Sequence, residues 1–399
     1  MNQNALNNLP LKGVRIIAVE QYGAGPFGTQ HLADLGAEVI KIENQADGGD
    51  VGRHVGPYYF GENDSHFYQA FNRNKKSITL NLKSEQGKEI FHRLLKDADI
   101  VFNNLRGDLP EKLGLTYEDL KQYNEKIVCA HLSAYGREGS RKSWPGYDYL
   151  MQAEAGYLSL TGEPDGPPSR MGLSIIDLMT GTTAAMGMLA GLVGARETGK
   201  GRDIDVSLYD VAIHNLAYVG VWYLNEGFSL KREPFSSHPS LTPSQLYRTQ
   251  DGWVFLMCNK EKFWGTLCMA IERPEWINRP EYQRFPDRLE NRDALKEELE
   301  AVLTTRTTEE WMKAFAGKVP AAPVYDVAQA LDNDFIQEQE RILEVEHAGR
   351  KVRSIASPVR VGAHPVKAAP AMGEHNEELL SEVGYSEQEI RSFKDEHVI

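Results

Sequence analysis

The sequence predicts an α/β protein whose larger part is built on a mostly parallel sheet. Strand-like apolar runs alternate with amphipathic helix patterns through about the first 220 residues, an alternation typical of parallel sheets covered by helices. Farther along, a hairpin pattern followed by helices predicts a second, smaller α+β domain. The 399 residues are enough for two domains.

The first part of the chain contains six strand patterns and five helix patterns. The strand patterns cover residues 14–19, 37–43, 76–82, 99–103, 126–133 and 203–207. The helix patterns cover residues 24–36, 84–98, 116–124, 177–197 and 208–224. The longest helix is expected to stop at Gly199 and Gly201, because glycine readily adopts the left-handed conformation that ends a helix.

The sequence changes character beyond residue 225. Residues 231–243 are rich in Pro, Ser and charge and are expected to form a linker. The elements predicted after it are a hairpin at 244–257, helices at 260–270, 291–304 and 308–316, a strand at 352–360, and a helix at 386–396 with Ser386 as its cap. We therefore expect domain boundaries of 1–224, 225–330 and 331–399, with the last segment returning to the large domain.

Composition and charge exclude several classes of function. The net charge of −13 is offset by no basic run, so a nucleic acid is not an expected partner. Cys129, Cys258 and Cys268 are widely spaced, which fits neither a metal site nor a disulfide framework. This cysteine usage predicts a reducing compartment and a cytoplasmic location. Residues 1–13 are polar and lack the apolar core of a secretory signal.

Asp177 is the most unusual residue of the chain. It precedes eighteen uncharged residues, 178–195, a run long enough to cross a membrane. Four glycines and three threonines in the run, and no partner span, favour a buried helix that packs closely through Gly187 and Gly191. A carboxylate at the head of a buried helix is costly unless something holds it. Asp177 is therefore either a helix cap or a reactive group.

The motif Gly23-x-Gly25-x-x-Gly28 follows a predicted strand and opens a predicted helix. This pattern is typical of dinucleotide-binding, Rossmann-like domains, in which backbone N–H groups approach a pyrophosphate. Two features weaken that interpretation. The turn is longer than usual, and Pro26 removes one N–H donor. A glycine turn of another purpose is the alternative.

Five segments, in order, resemble the class III CoA-transferases, the family of formyl-CoA transferase and carnitine CoA-transferase. They are Ala24-Gly25-Pro26 with 35–43, then 72–78, 172–181, 196–210 and the Asp251-Gly252 hairpin. Each segment alone is weak evidence, but together they cover almost the whole chain. The resemblance implies a CoA-transferase that moves CoA from an acyl-CoA thioester to a free carboxylic acid. It also implies a homodimer of interlocked, ring-like subunits.

The resemblance implies that Asp177 is the catalytic nucleophile. Its carboxylate would attack the donor's thioester carbonyl to give a mixed anhydride and CoA thiolate, and the thiolate would then form an aspartyl–CoA thioester. An incoming carboxylic acid would reverse these steps and leave as its own thioester. We expect N–H groups at the helix N-terminus to favour the charged, reactive form of Asp177. The local sequence alone leaves a helix cap as the alternative.

The resemblance also implies a set of CoA contacts, with CoA bound as substrate and product and no metal required. The implied residues are Gly23, Ala24, Asn72, Asn74, Lys75, Asn104 and Lys112. Lys75 can meet a phosphate as a point charge. Lys112 replaces an arginine of the family, which keeps the charge without bidentate geometry. A solvated turn at 72–75 and an exposed helix lysine at 112 are the alternatives.

This chain departs from formyl-CoA transferase at three places. Gly23 replaces a glutamine that contacts the carboxylate there, although Gln21 is nearby, and Ser133 replaces a CoA-binding lysine. The glycine-rich active-site loop is missing, and residues 237–243 lie in its region. His238 there either faces the active site or lies in solvent. We therefore do not expect a formyl or oxalate substrate, and the donor and acceptor stay open.

Two other functions are kept as alternatives. The α-methylacyl-CoA racemase branch shares the fold but uses a histidine in a Gly-His-Asp motif, where this chain has Gly146-Tyr147-Asp148. Tyrosine is a poor proton acceptor at neutral pH, which favours the transferase, and Tyr147 is otherwise a packing aromatic. A nucleotide-binding protein without turnover is the alternative from another class.

Overall fold

The computed structural model describes residues 9–362 and 365–399, so residues 1–8 of the predicted first domain lie outside the described residues. The chain divides into two compact units. The first contains the residues up to Ala155, Met171–Val221 and Glu340–Ile399, and the second contains Gly156–Arg170 and Trp222–Gln339. The division at 1–224, 225–330 and 331–399 stays a prediction.

The first unit contains a parallel sheet of six strands in the order β5-β2-β1-β6-β7-β8. The strands are β1 Arg15–Val19, β2 Glu38–Glu43, β3 Tyr59–Gly61, β4 Asp64–Ser65, β5 Lys76–Thr79, β6 Ile100–Asn103, β7 Val128–Ser133, β8 Arg202–Ser207, β9 Ser244–Arg248, β10 Trp253–Met257, β11 Ala321–Pro323, β12 Ile342–His347 and β13 Arg350–Ile355. The pairs β3–β4 and β12–β13 are short antiparallel hairpins. The predicted mixed α/β architecture with a parallel sheet is confirmed.

Helices surround the sheets of both units. In the first unit they are Ala24–Asp34, His66–Asn72, Glu85–Leu94, Leu109–Leu113, Tyr117–Leu120, Asp148–Glu154, Ile175–Thr198, Leu208–His214, Asn376–Glu382 and Glu387–Asp395. In the second unit they are Tyr157–Leu160, Glu261–Ala270, Phe285–Glu290, Arg292–Leu303, Thr308–Phe315, Val327–Asp332 and Asp334–Glu338. Helix Ala217–Glu226 contains the boundary between the units.

The apolar strands of the parallel sheet are buried along most of their length, as two covered faces require, whereas the edge strand β8 is partly exposed. Ile17 in the centre of β1 is fully buried and pairs with Ile40 on one side and Val101 on the other. β7 is buried along its whole length. This rigid centre fixes the strand ends at which the functional side chains stand.

The apolar run predicted from the sequence forms the helix Ile175–Thr198, called the long helix below. It is the one helix among the described residues long and apolar enough to cross a membrane. Its buried residues recur every three or four positions, from Ile176 to Ala195, so one face packs inward. Gly191 lies against Val128 and Ile204, where an added Cβ would stand 2.7 Å from a Val128 methyl carbon. These contacts describe a helix packed on β7 and β8.

Several sequence predictions need correction. The helix expected at 208–224 is two helices, Leu208–His214 and Ala217–Glu226, because Ala217 has a φ of +45° that breaks the helix. The strand expected at 352–360 is β13, which ends at Ile355 and pairs with β12, a strand that periodicity did not reveal. The helix Asp148–Glu154 was also not predicted. At the C-terminus, Ser386 is the N-cap residue as predicted, and it forms a capping box with Glu389.

The second unit has its own core. The predicted hairpin is confirmed as β9 and β10, to which β11 adds a third antiparallel strand. Its centre is aromatic: Trp264, Trp311 and Phe315 are buried together.

Candidate active site

The glycine motif of the first unit serves close packing between backbones. An added Cβ at Gly25 would lie 2.8 Å from Cγ of Asn104. At Gly28 it would lie 2.5 Å from the carbonyl oxygen of Gly181, and at Gly181 it would lie 2.4 Å from the carbonyl oxygen of Ala24. Such distances exclude any side chain. The glycines thus let the helix Ala24–Asp34 cross the long helix at backbone contact, which brings the glycine turn against Asp177.

Asp177 faces that turn. An added Cβ at Gly23 would lie 3.0 Å from Oδ2 of Asp177, so the absence of a side chain at Gly23 leaves room at the carboxylate. The long helix begins at Ile175 with Ser174 as its N-cap residue, so Asp177 is the third helical residue. The alternative that Asp177 caps this helix through its side chain is therefore wrong.

Burial controls the charge of Asp177. The residue is 7% exposed. Burial raises the pKa of Asp177 to about 7, and the negative charge of Asp148 adds to this rise. The sequence had led us to expect that N–H groups of the helix N-terminus would favour the charged form. The pKa of Asp177 is instead raised, and the cost of desolvating the carboxylate is the largest cause.

A cavity of about 220 Å³ opens onto Asp177. It lies at the carboxyl ends of β1, β6 and β7, the edge of a parallel sheet where ligands commonly bind. Its aromatic and charged lining residues are Tyr22, Trp144, Tyr147, Arg106 and Asp177. Gly23, Ala24 and Asn104 of the predicted CoA-binding set also line it.

Asn104 supports the glycine turn from the end of β6. Its Oδ1 accepts the backbone N–H of Gln21 at 2.9 Å, and its Nδ2 donates to the Gln21 carbonyl at 2.7 Å. Gln21 itself lines the cavity. Asn104 thus uses both polar atoms of its amide on the turn, and its side chain forms part of the wall beneath Gly25.

Lys75 and Asn72 lie beneath the turn and do not line the cavity. The Lys75 ammonium is fully buried, 2.7 Å from Glu20 Oε1, and also donates to Pro26 O and Asn72 Oδ1. Burial lowers the pKa of Lys75 to about 8, although the charge of Glu20 opposes the shift. Both residues therefore stabilise the turn from below. That they bind CoA stays a prediction.

Further buried charges fix the start of the turn. Lys41 Nζ lies 2.7 Å from Asp50 Oδ2, and both side chains are fully buried. Asp50 Oδ1 accepts the backbone N–H of Tyr22 at 2.8 Å. Tyr22 has a φ of +69°, a left-handed conformation that is unfavourable for a tyrosine and is held here by these contacts.

Asn74 and Lys112 occupy different surroundings. Asn74 donates to Asp34 Oδ1 at 2.8 Å and accepts from the backbone N–H of Lys367, so it is tied to the C-terminal segment. Lys112 is exposed and lies 2.6 Å from Asp108 Oδ2. Asp108 also binds Arg106, and these two cations hold the pKa of Asp108 well below its usual range, Arg106 having the larger effect. Arg106 and Lys112 thus form a cationic pair beside the cavity.

A second cavity, of about 270 Å³, lies on the other side of the glycine turn and shares Gln21 and Leu105 with the first. Its apolar lining includes Leu80, Leu82, Leu109 and Leu113, and its polar lining includes Asn44, Asp47, Asn81 and Lys83. The two cavities together follow the carboxyl edge of the sheet from β5 to β7.

Other residues singled out from the sequence are placed as follows. Tyr147 and Ser133 line the first cavity, and the Tyr147 ring lies edge-on to Tyr22 at 6.3 Å. His238 belongs to the second unit, where its Nδ1 accepts the backbone N–H of Ser240. Burial, and to a smaller extent Arg292, lowers the pKa of His238.

Sequence reasoning missed Asp148 and Arg106. Asp148 is buried and its Oδ2 accepts the backbone N–H of Asp177 at 2.9 Å. It is part of the Gly146-Tyr147-Asp148 triplet, which was considered only for its tyrosine. Arg106, two residues after Asn104, offered no pattern of its own.

The structure describes no cluster of three or more potential metal ligands within 9–362 and 365–399, and a reaction without metal stays a prediction.

The fold and site define an α/β protein with a buried carboxylate in a crevice at the carboxyl edge of a parallel sheet. The chain belongs to CoA-transferase family III, whose sequence model matches residues 11–376. It is accordingly an enzyme that transfers CoA, with acyl-CoA thioesters as substrates, and the resemblance drawn from the sequence is confirmed.

Characterised relatives and solved structures agree with this assignment. The chain is 32% identical to succinyl-CoA:mesaconate CoA-transferase of Haloarcula marismortui, over 94% of this chain and 96% of the relative. It is 34% identical to acetyl-CoA:oxalate CoA-transferase of Acetobacter aceti, over 94% of this chain and 95% of the relative. A crystal structure of a CAIB/BAIF family protein from Brucella suis superposes with a TM-score of 0.80 at 30% identity, covering 94% of this chain and all of that one.

Proposed function

We propose that Asp177 is the nucleophile that carries the acyl group and then CoA during transfer. The observation that carries this proposal is a buried carboxylate at the cavity, facing a turn whose Gly23 leaves its Oδ2 accessible. A desolvated carboxylate attacks more readily than a hydrated one, because its negative charge is poorly compensated. The pKa of about 7 leaves a useful fraction of Asp177 ionised at neutral pH.

The reaction then proceeds by exchange of one activated acyl bond for another. Asp177 attacks the thioester carbonyl, the C–S bond breaks, and a mixed anhydride and CoA thiolate result. The thiolate attacks the aspartyl carbonyl, which forms an aspartyl–CoA thioester and releases the first acid as a carboxylate. The acceptor carboxylate repeats the two steps in reverse, leaves as its CoA thioester and restores Asp177. Ala24, the first residue of the helix Ala24–Asp34, lines the cavity, so an N–H group of this first turn can donate a hydrogen bond to the carbonyl oxygen as negative charge develops there.

We infer that CoA lies along the carboxyl edge of the sheet. The thioester end belongs in the first cavity at Asp177, and the nucleotide end belongs in the second cavity, whose apolar walls suit an adenine ring. Lys83, Arg106 and Lys112 are the cations at or beside these two cavities that phosphates can reach. Among the residues predicted to bind CoA, Gly23, Ala24, Asn104 and Lys112 are consistent with this placement.

A homodimer is part of the same proposal. Helix Ala217–Glu226 contains seven apolar residues out of ten, yet none of its residues is buried in a single chain. Leu224 is 80% exposed. Exposed apolar helices of this kind mark protein interfaces. Light scattering coupled to size exclusion would give about twice the chain mass of 44.8 kDa for a dimer.

The racemase alternative is less well supported. It requires a proton acceptor at the position of Tyr147, and that side chain is 63% exposed at the cavity and stacks edge-on with Tyr22. A tyrosine side chain is a poor replacement for the histidine that the racemase branch uses. The identity of the acids is also part of the proposal. The similar proteins are named for succinyl, acetyl, mesaconate and oxalate groups, so short carboxylic acids are the first donors and acceptors to test.

The test is a trapping experiment on the full chain. The protein is incubated with a panel of acyl-CoA donors, treated with hydroxylamine, digested and analysed by mass spectrometry. We expect a hydroxamate on the peptide that contains Asp177, because hydroxylamine captures an activated aspartyl carbonyl. Asp177→Asn must lack this product, whereas Asp205→Asn, which changes a largely exposed acid paired with Arg137, must retain it. A product found on another carboxylate, or none with any donor, would reject Asp177 as the nucleophile.

A further inference from the structure

The first turn of the long helix is capped from a different helix. The early N–H groups of any helix lack partners within the helix. Here Ser174, the N-cap residue, makes no capping bond with its side chain. Asp148, the first residue of the helix Asp148–Glu154, accepts the N–H of Asp177 itself at 2.9 Å. The backbone of the proposed nucleophile is therefore held by another carboxylate.

Asp148 is itself fixed on its other side. Gln152, one turn later on the same helix, donates from Nε2 to Asp148 Oδ1 at 2.5 Å and to the carbonyl of Leu173 at 3.1 Å. Gln152 Oε1 accepts the N–H of Met171 at 2.9 Å. Asp148 and Gln152 are buried. Together they tie the segment 171–173 and the start of the long helix to one rigid element, so Asp177 has little freedom to move.

We propose that Asp148 is a positioning residue for Asp177, which fixes the nucleophile's backbone and places a second buried negative charge beside its carboxylate. This inference rests on the proposed role of Asp177. Position and charge have separate consequences. Position sets the approach of the carboxylate to the thioester carbonyl, and misplacement by about 1 Å can cost on the order of 10²-fold in rate. Charge makes the Asp177 carboxylate a stronger base and nucleophile.

The surroundings of Asp177 agree with this division. Burial contributes most to the raised pKa of Asp177, and Asp148 is the further cause. The other titratable or charged groups at the cavity are Tyr22 on the glycine turn, Tyr147 beside Asp148, and Arg106 after β6. The pKa of Tyr22 is itself raised, mainly by burial and then by the charge of Asp177. Asp148 is thus the neighbouring anion that the helix packing brings to the nucleophile.

Three variants separate position from charge. Asp148→Asn keeps an oxygen that accepts the Asp177 N–H but removes the charge, and it also loses the bond from Gln152 Nε2, because an amide NH2 then faces that donor. It should move the acid limb of the kcat/KM profile down by about 1 pH unit, with a modest loss at pH 8. Asp148→Ala removes both the accepting oxygen and the charge, and it should also lower kcat/KM about 10²-fold at every pH. Gln152→Met leaves the charges of Asp148 and Asp177 in place but removes the hydrogen bonds that hold Asp148. We therefore expect kcat/KM to fall without a downward shift of the acid limb of its pH profile.

A matched control and an independent readout complete the test. Glu154 lies on the same helix as Asp148 and pairs with Arg141. Glu154→Gln removes this acid, and its pH profile of kcat/KM should coincide with that of wild type. In protein labelled with [13Cγ]aspartate, the Asp177 resonance is assigned by its loss in Asp177→Asn. Its titration midpoint should be lower in Asp148→Asn than in wild type.

The outcomes are distinguishable. Coincident profiles and midpoints for wild type and Asp148→Asn would overturn the charge role, and an Asp148→Ala variant as active as Asp148→Asn would overturn the positioning role. If Asp148→Asn does not fold, Gln152→Met decides: kcat/KM equal to wild type overturns the proposal. A wild-type protein inactive with every donor rejects the proposed function of Asp177, while the midpoints from nuclear magnetic resonance still decide whether the two carboxylates interact.

Discussion

Asn104 pairs with the backbone of Gln21 through both polar atoms of its amide, at 2.9 and 2.7 Å. β1 has ended at Val19, so this side chain continues the pairing that a neighbouring strand would otherwise provide. Because Gly25 lies directly against the same amide, Asn104 sets the position of the glycine turn. The glycine turn forms the wall of the cavity opposite Asp177. One side chain at the end of β6 therefore contributes directly to the geometry of the site.

Asn104→Ala should lower kcat/KM for acyl-CoA by about 10- to 100-fold, since two hydrogen bonds worth about 1 kcal/mol each are lost at the turn. Asn124→Ala is a matched control. It removes three side-chain bonds to the backbone, to the carbonyls of Leu95 and Ala98 and from the N–H of Lys126, all away from the cavity. Steady-state kinetics should show a lower kcat/KM for Asn104→Ala and an unchanged kcat/KM for Asn124→Ala. Equal kinetics would mean that Asn104 does not control the turn.

Activity should decline below neutral pH. Asp177 must be ionised to attack, and its pKa is about 7. Below that value kcat/KM is expected to fall about tenfold for each pH unit, with a plateau above pH 8. The profile is measured with a donor and acceptor pair found in the panel. An acid limb near pH 4 would show that Asp177 is not desolvated during catalysis.

Asp177→Asn should stabilise the fold at alkaline pH. A carboxyl whose folded pKa is raised destabilises the folded state once it ionises in the unfolded chain, so the effect begins above about pH 4 and is complete above pH 7. The full effect is at most about 4 kcal/mol. Urea unfolding at pH 4, 6 and 8 should show a difference between variant and wild type that grows with pH. A constant difference would contradict the raised pKa.

Gly28→Ala should both destabilise the protein and reduce its activity, because the new Cβ would meet the carbonyl oxygen of Gly181 at 2.5 Å. Overpacking of this kind costs about 1–3 kcal/mol and would push the turn away from Asp177. Gly194→Ala is the control. It lies in the long helix, where a Cβ meets only the Arg202 side chain at 3.8 Å, and should stabilise by about 0.5–1 kcal/mol. Thermal unfolding and kcat/KM test both; a neutral Gly28→Ala would refute the close crossing.

Two lysines predicted from the sequence to bind CoA should respond differently to substitution. Lys75→Met removes the nearer of two buried cations at Glu20, leaving Lys41 at 3.9 Å, and should destabilise the fold by about 3–5 kcal/mol. Lys112→Ala removes an exposed partner of Asp108 and should leave stability nearly unchanged while raising KM for acyl-CoA a few-fold. Chemical unfolding and KM are measured for each. If Lys112→Ala leaves KM unchanged, Lys112 does not contact the phosphates.

Local patterns in the sequence predicted most of the architecture. Strand and helix periodicity depends on neighbouring residues, so β1, β2, β6, β7 and β8 were found to within about two residues of their observed bounds. Elements without a strong period were missed, such as β12 and the helix Asp148–Glu154. The ordered motifs also sufficed to identify the family, because their order along the chain is specific even though each segment alone is weak evidence.

The candidate site could be predicted only in part. Asp177 was recognisable, since a charge interrupting an apolar run is visible in the sequence alone. The protonation of Asp177, the burial of Lys75 and the contact with Asp148 depend on elements distant in the chain. Desolvation and Coulomb energies are set by everything that packs around a group, and no local pattern contains that information.

The sequence by itself determined the parallel α/β sheet, the glycine turn and an acid at the head of an apolar helix. The tertiary structure decided what these features do: that the glycines serve a backbone crossing at Gly28 and Gly181, and that Asp177 is a buried group with a pKa near neutrality. The physical reason is the distance along the chain over which each effect acts. Backbone conformation follows residues a few positions apart, whereas burial and charge coupling arise only when distant segments are brought together by packing.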